Sequence, residues 1–184
     1  VKELATPSNY KITSLASSDT GTTTILATTW IASFFEGDPE FSNADPPPPG
    51  DIYVDGDATF GNSVEATGDV SATGNITLEQ NSGITGTVCA GGDITLGQNA
   101  EIIGDVRVSD NSTITLAEAN ARIEGNIWAD GNLTINIPIN AEIIGDIYAP
   151  AGDITISLGN PQSAITGDIY ASGSIDIVEN KGTI

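Results

Sequence analysis

Four aspartates recur at equivalent places in a repeated pattern, Asp51, Asp69, Asp146 and Asp168. Adjacent carboxylates at such spacing are candidate oxygen ligands for a hard cation, calcium above all. Aspartate also suits turns for local reasons, because its side chain bonds nearby backbone, and that reading stays beside the first. A second group, Trp128, Tyr148 and Tyr170, recurs at one position of the same pattern. Aromatic side chains so placed stack on one another, and an exposed strip of them is a candidate contact for a partner subunit or a sugar ring.

Other chemistry is missing from the composition. Histidine is absent, which removes the commonest general base and metal ligand. Cys89 is the one cysteine, so neither an internal disulfide nor a cysteine-rich zinc site is available. Acidic residues number 25 against 5 basic ones, a net charge of -20 that repels nucleic acid and anionic membranes. Neither a phosphate-cradling glycine loop opening a helix nor a nucleophile elbow is present. These absences predict a chain without catalytic activity. No apolar run approaches the ~20 residues that span a bilayer. The sequence begins at Val1 rather than methionine, which leaves room for a targeting segment ahead of it.

The elements that position these residues follow from an internal repeat. Pentapeptides of the type GDIYV begin at Gly50, Gly68, Gly86, Gly104, Gly125, Gly145 and Gly167, at intervals of 18, 18, 18, 21, 20 and 22 residues. A second motif of the GDITL type begins at Gly56, Gly74, Gly92, Ser112, Gly131, Gly152 and Gly173, and a third short segment precedes each new start. Segments this short, alternating apolar and polar residues, are strands. No single unit buries its own apolar side, so the units must stack at ~4.8 Å per rung. The prediction is an all-β, single-stranded parallel β-helix of about seven triangular rungs over residues 46–184, preceded by a β-hairpin module and linker over 1–45.

This alignment makes several columns. Ile76, Ile94, Ile114, Leu133 and Ile154 form one inward stack, and Thr59, Thr77, Thr95, Thr115, Thr134 and Thr155 one outward column ending at Asp176. Threonine neighbours hydrogen-bond across strands, whereas a flat threonine face could meet ice or a mineral lattice. Insertions in the longer units are assigned to corners such as Ser109–Asn111 and Ala117–Ala119. In the first fifty residues, strands are expected at roughly 10–17 and 22–34, separated by a polar turn, with a loop from Glu36 to the tetraproline Pro46–Pro49. Ile25, Leu26, Trp30, Ile31, Phe34 and Phe35 are too many apolar residues for a lone hairpin, so the hairpin packs on the first rung or on a neighbour. At the other end, Ile175 and Ile177 remain for contact with another subunit.

The NYKITS…TTTILATT hairpin and proline linker, followed by GDVSATGNITLEQNSGITG, resemble the segment behind the membrane helix of type IV pilin-like proteins of the PilX type. That resemblance implies an extracellular or cell-surface subunit, anchored through an upstream segment, that self-associates or joins a pilus and has an adhesive role. The repeats alone resemble bactofilins, which implies a cytoskeletal polymer instead. A cation- or glycan-binding β-helix module is the third reading. Hexapeptide-repeat acyltransferases share the 18-residue rung, but their activity depends on a histidine this chain lacks.

Overall fold

The computed structural model describes residues 8–14 and 27–184, with side chains described from Ser33 onward except at 179–180. The described residues form a parallel β-solenoid without a helix, in which three sheets run the length of a triangular rod. The first face has nine strands, the second eight and the third six. From Asp51 each turn contributes one strand to each face in order, as in β4 (Asp51–Asp55), β5 (Ala58–Phe60) and β6 (Glu65–Thr67) once the N-terminal strands β1 (Ser8–Ser14), β2 (Ala27–Glu36) and β3 (Glu40–Phe41) are passed.

Alternation explains the packing. Strands such as Val70–Ala72 and Ile94–Leu96 bury their first and third residues and turn the middle one outward. Ile76, Ile94, Ile102, Ile114, Ile123 and Ile127 are wholly shielded from solvent. Each such side chain contributes roughly 1.5–3 kcal/mol of apolar burial. Glycine makes the corner before each first-face strand possible. Gly104 has φ 144°, and a Cβ there would collide with the carbonyl oxygen of Gly86 in the turn below.

The register departs from the expected alignment at one step. Ile94 pairs with Ile114 as expected, but Ile114 then pairs with Ile135 rather than Leu133, and Ser112 pairs with Leu133. The inward stack is therefore Ile76, Ile94, Ile114, Ile135, Ile156, with Leu133 and Ile154 in a neighbouring stack. The outward column divides in the same way. Thr115 stands beside Asn136, while Thr113, Thr134, Thr155 and Asp176 form a second column. The extra residues are not all corner residues either. The second-face strands lengthen from three residues to five at Ser112–Leu116, Leu133–Ile137 and Ile154–Leu158, which widens that face.

The N-terminal residues are continuous with the rod. β1 and β2 pair antiparallel, and β2 then pairs in parallel with β4 over Ala32–Glu36. Parallel pairing carries β2 to Glu36, past the expected end near Phe34. β1 covers 8–14 rather than 10–17. The expected polar turn, Ile25 and Leu26 lie outside the described residues. The stretch from Glu36 to Gly50, expected to be loop, contains β3, which pairs with β5. Phe41 on β3 explains the strand. Its ring packs 5.2 Å from Phe35 and 5.0 Å from Phe60, and all three are buried, so they plug the N-terminal end of the core. Between β3 and β4, where every later turn has a third-face strand, the chain has the tetraproline instead. Proline has no N–H to donate, so the third sheet ends at β6. At the opposite end Ile175, Ile177 and Val178 are 45%, 43% and 60% exposed.

Two substitutions test this architecture. Ile94→Asp puts an unpaired charge in the sealed core and is expected to cost about 4 kcal/mol or more. Gly104→Ala meets a backbone oxygen as well as unfavourable φ, whereas Gly37→Ala, at φ 80° with open space around its Cβ, meets only the φ strain of roughly 1–2 kcal/mol. Thermal melts should rank Gly37→Ala well above Gly104→Ala and Ile94→Asp. Equal melting temperatures for the two glycine variants would count against the stacked corner.

Candidate functional site: the corner ladders and the outward column

The aspartates singled out by the repeat lie on the corner between the third and first faces. There Gly68 N–H and Val70 N–H donate to carbonyls of the following turn, leaving Asp69 N–H directed at the preceding one. The Asp51 carboxylate accepts it at 2.9 Å, and the Asp69 carboxylate accepts Thr87 N–H at 2.7 Å. Threonine lacks the carboxyl oxygen, so the ladder lapses for one turn and resumes with Asp105 to Asn126, Asn126 to Asp146 and Asp146 to Asp168 at 2.8–2.9 Å. The corner between the first and second faces repeats the device. Asp38, Asp57, Asn75 and Asp93 accept from the next turn, up to Thr113 N–H. Asp110, two residues into the widened corner, then replaces Thr113 as acceptor, and the ladder continues through Asn132 and Asp153 to Ser174.

An amide oxygen serves as well as a carboxylate in these bonds, which explains why Asp and Asn interchange along them. The four candidate cation ligands, Asp51, Asp69, Asp146 and Asp168, thus fall in one column. Oδ1 of Asp51, Asp69 and Asp146 is bound to backbone. Among the described residues no group of three or more Asp, Glu or Cys side chains gathers at a point where a metal ion would sit.

The aromatic strip forms as expected. Trp128 and Tyr148 stack at 4.1 Å with 13° between planes, and Tyr148 and Tyr170 at 5.1 Å with 6°. Each tyrosine hydroxyl is tied to its own corner: Tyr148 donates to Asp146 Oδ2 at 2.9 Å and Tyr170 to Asp168 Oδ2 at 3.1 Å. Ladder and strip are therefore one hydrogen-bonded unit at the turns of Tyr148 and Tyr170. Bonds from Asp168 N–H and then the Tyr148 hydroxyl hold the Asp146 carboxyl below its ordinary 3.8. The reciprocal bond to Asp146 raises Tyr148, and the bond to Asp168 raises Tyr170, above the ordinary 10.0. Asp153 is lowered by its bonds from the Ser174 backbone and hydroxyl. Stacked face to face, the three rings turn their edges outward.

Two further arrangements were not read from the repeat. At the third corner Asn81, Asn99 and Asn120 adopt left-handed φ of 57°, 54° and 61°, and their side-chain amides bond in series at 2.8 and 3.0 Å. The signal was an asparagine two residues before each of the strands Gly83–Thr85, Glu101–Ile103 and Arg122–Glu124, in a conformation asparagine tolerates better than most residues. On the third face Arg122 lies within ion-pair distance of Glu101, Glu124 and Glu142, at 2.9, 2.8 and 3.0 Å. The hydrogen bond to Glu101, foremost, raises the arginine further above its ordinary value. In the register it stands between Glu101 and Glu142, so a positive charge lies between two negative ones.

Comparison with protein-family models, curated proteins and solved structures returns no match to this chain.

The depressed Asp146 and Asp153 carboxyls contribute stability that is present above the unfolded-state carboxylate pKa and is lost as pH falls through the lower folded value. Asp146→Asn keeps an acceptor oxygen but has no titrating proton. It should melt close to the parent at pH 7 and lose less stability between about pH 4 and pH 2, while Asp146→Ala should be destabilised at both. Acid-dependent melting curves check this. Parallel curves for the parent and Asp146→Asn would refute the link.

Proposed function

We propose that this chain is a non-catalytic structural subunit, an exported pilin-like rod displayed at the cell surface. The observation that carries the reading is the commitment of the corner carboxylates to neighbouring turns. In the described residues these groups hold one rung to the next, so the chemistry that composition makes most abundant serves to stiffen the rod. The strong acidity is compatible with a solvated, charge-repelling exterior.

The first and last described rungs differ in exposure. The N-terminal end is covered by β2, β3 and the Phe35–Phe41–Phe60 plug, whereas Ile175, Ile177 and Val178 are open at the other. Ile175, Ile177 and Val178 are the residues through which one heterologous contact with the N-terminal module of another subunit would form.

Protease treatment and immunolabelling of intact source cells test the localisation, with external, protease-sensitive label expected. Label confined to the cell interior would overturn the exported reading and favour a cytoskeletal one. Sedimentation velocity over a wide concentration range tests the end contact. Association that Ile177→Lys abolishes is expected, and a monomer at every concentration would remove it.

A further inference from the structure

The outward column of the first face is not uniform. It opens with Phe34 beside Tyr53, drops to the short side chains of Ser71 and Cys89, and rises again at Arg107 and Trp128. The result is an open depression of about 490 Å³, with Phe34 and Tyr53 as one wall, Arg107 as the other, and Ser71 and Cys89 in the floor. Pockets of roughly 300–1,000 Å³ hold small-molecule ligands. Tyr53 is 47% exposed. Its column neighbour toward the depression is the short Ser71. This differs from Tyr148 in the other aromatic group, whose two faces are covered by Trp128 and Tyr170.

The polar lining selects the kind of ligand. Asp55, which accepts the Thr73 hydroxyl at 3.1 Å, and Asp130 stand along the corner side of the depression. Their carboxylates, with the net charge of -20, repel an anion. Arg107, directly opposite Tyr53 across the floor, offsets one of the two carboxylates and supplies guanidinium donors. The lining as a whole fits a molecule with C–H faces for the aromatic wall and uncharged hydroxyl groups for the carboxylates, arginine, serine and threonine. We propose that the depression between Tyr53 and Arg107 is a binding site for a neutral glycan. The site does not depend on the rod reading, since a surface rod without it is still a surface rod.

Cys89 is a half-buried free thiol in the floor and so reports occupancy directly. The experiment measures how fast a chromogenic disulfide reagent modifies Cys89 in the full chain. The probes are cellotriose, mannotriose and maltotriose as neutral sugars, trigalacturonate as an anionic one and a glucosamine trimer as a cationic one. At least one neutral trisaccharide is expected to slow modification several-fold and saturably. Tyr53→Ala and Ser71→Trp should remove the protection, the first by deleting the wall and the second by filling the floor, while Tyr170→Ala should retain it. Protection by none of the neutral sugars, protection only by a charged one, or equal loss in Tyr170→Ala would overturn the proposal.

Discussion

Each turn of this chain is set on the one below by backbone N–H groups at the corners that find no backbone carbonyl. An Asp or Asn side chain from the preceding turn accepts them wherever one is present, as Asp51 does for Asp69 and Asn126 does for Asp146; above Thr87 the acceptor is missing. Such a bond fixes both the axial rise and the lateral position of the next turn. Where the acceptor is a carboxylate the bond is charge-assisted, and where it is an Asn amide the same geometry is kept without the charge. Once turns superpose at ~4.8 Å, every residue type meets its own equivalents above and below. Isoleucine on isoleucine makes a sealed core. Ring on ring makes the Trp128–Tyr148–Tyr170 stack. Carboxylate on carboxylate is unfavourable, and the chain relieves it with Asn in the ladders and with Arg122 between Glu101 and Glu142.

The same superposition made most of the fold legible in the amino-acid sequence. Period-two alternation within a recurring unit identifies three strands per turn, and both the inward residues and the aromatic strip follow from it. What alternation does not encode is a shift by an even number of residues. A slip of one would turn every side chain of a strand over, but a slip of two leaves inside and outside unchanged. The step from Ser112–Leu116 to Leu133–Ile137 is such a shift, which is why Ile114 meets Ile135 and Thr115 meets Asn136. Only the corner marks it, because Asp110 rather than Thr113 accepts Asn132 N–H. The N-terminal plug was hidden for another reason. Phe41 sits in a two-residue strand among loop-forming residues, too short for any periodicity, and its role exists only because Phe35 and Phe60 meet it.

Candidate chemistry was legible as residue types but not as roles. Regular aspartates suggest a cation site when viewed one turn at a time. Viewed along the axis, Asp51, Asp69 and Asp146 also accept from the next turn, and the second oxygens of Asp146 and Asp168 accept from the tyrosines of the aromatic strip. Conversely, the depression near Cys89 has no motif. It comes from two short residues falling between longer ones in a column that only the register defines. A solenoid of this kind concentrates binding capacity where its columns are irregular, because the regular parts satisfy themselves.

Amide hydrogen exchange at the first corner examines the ladder most directly. Asp146 N–H and Asp168 N–H have side-chain acceptors below them, whereas Asp105 N–H lies above Thr87 and has none. The three share the same corner geometry and the same kind of neighbours, so the acceptor is the main difference between them. The ladder account predicts that Asp146 and Asp168 amides exchange at least about tenfold more slowly than Asp105, the equivalent of ~1.4 kcal/mol of added protection. Equal protection at the three positions would contradict it, and the turns would then be held together by core burial and strand pairing alone.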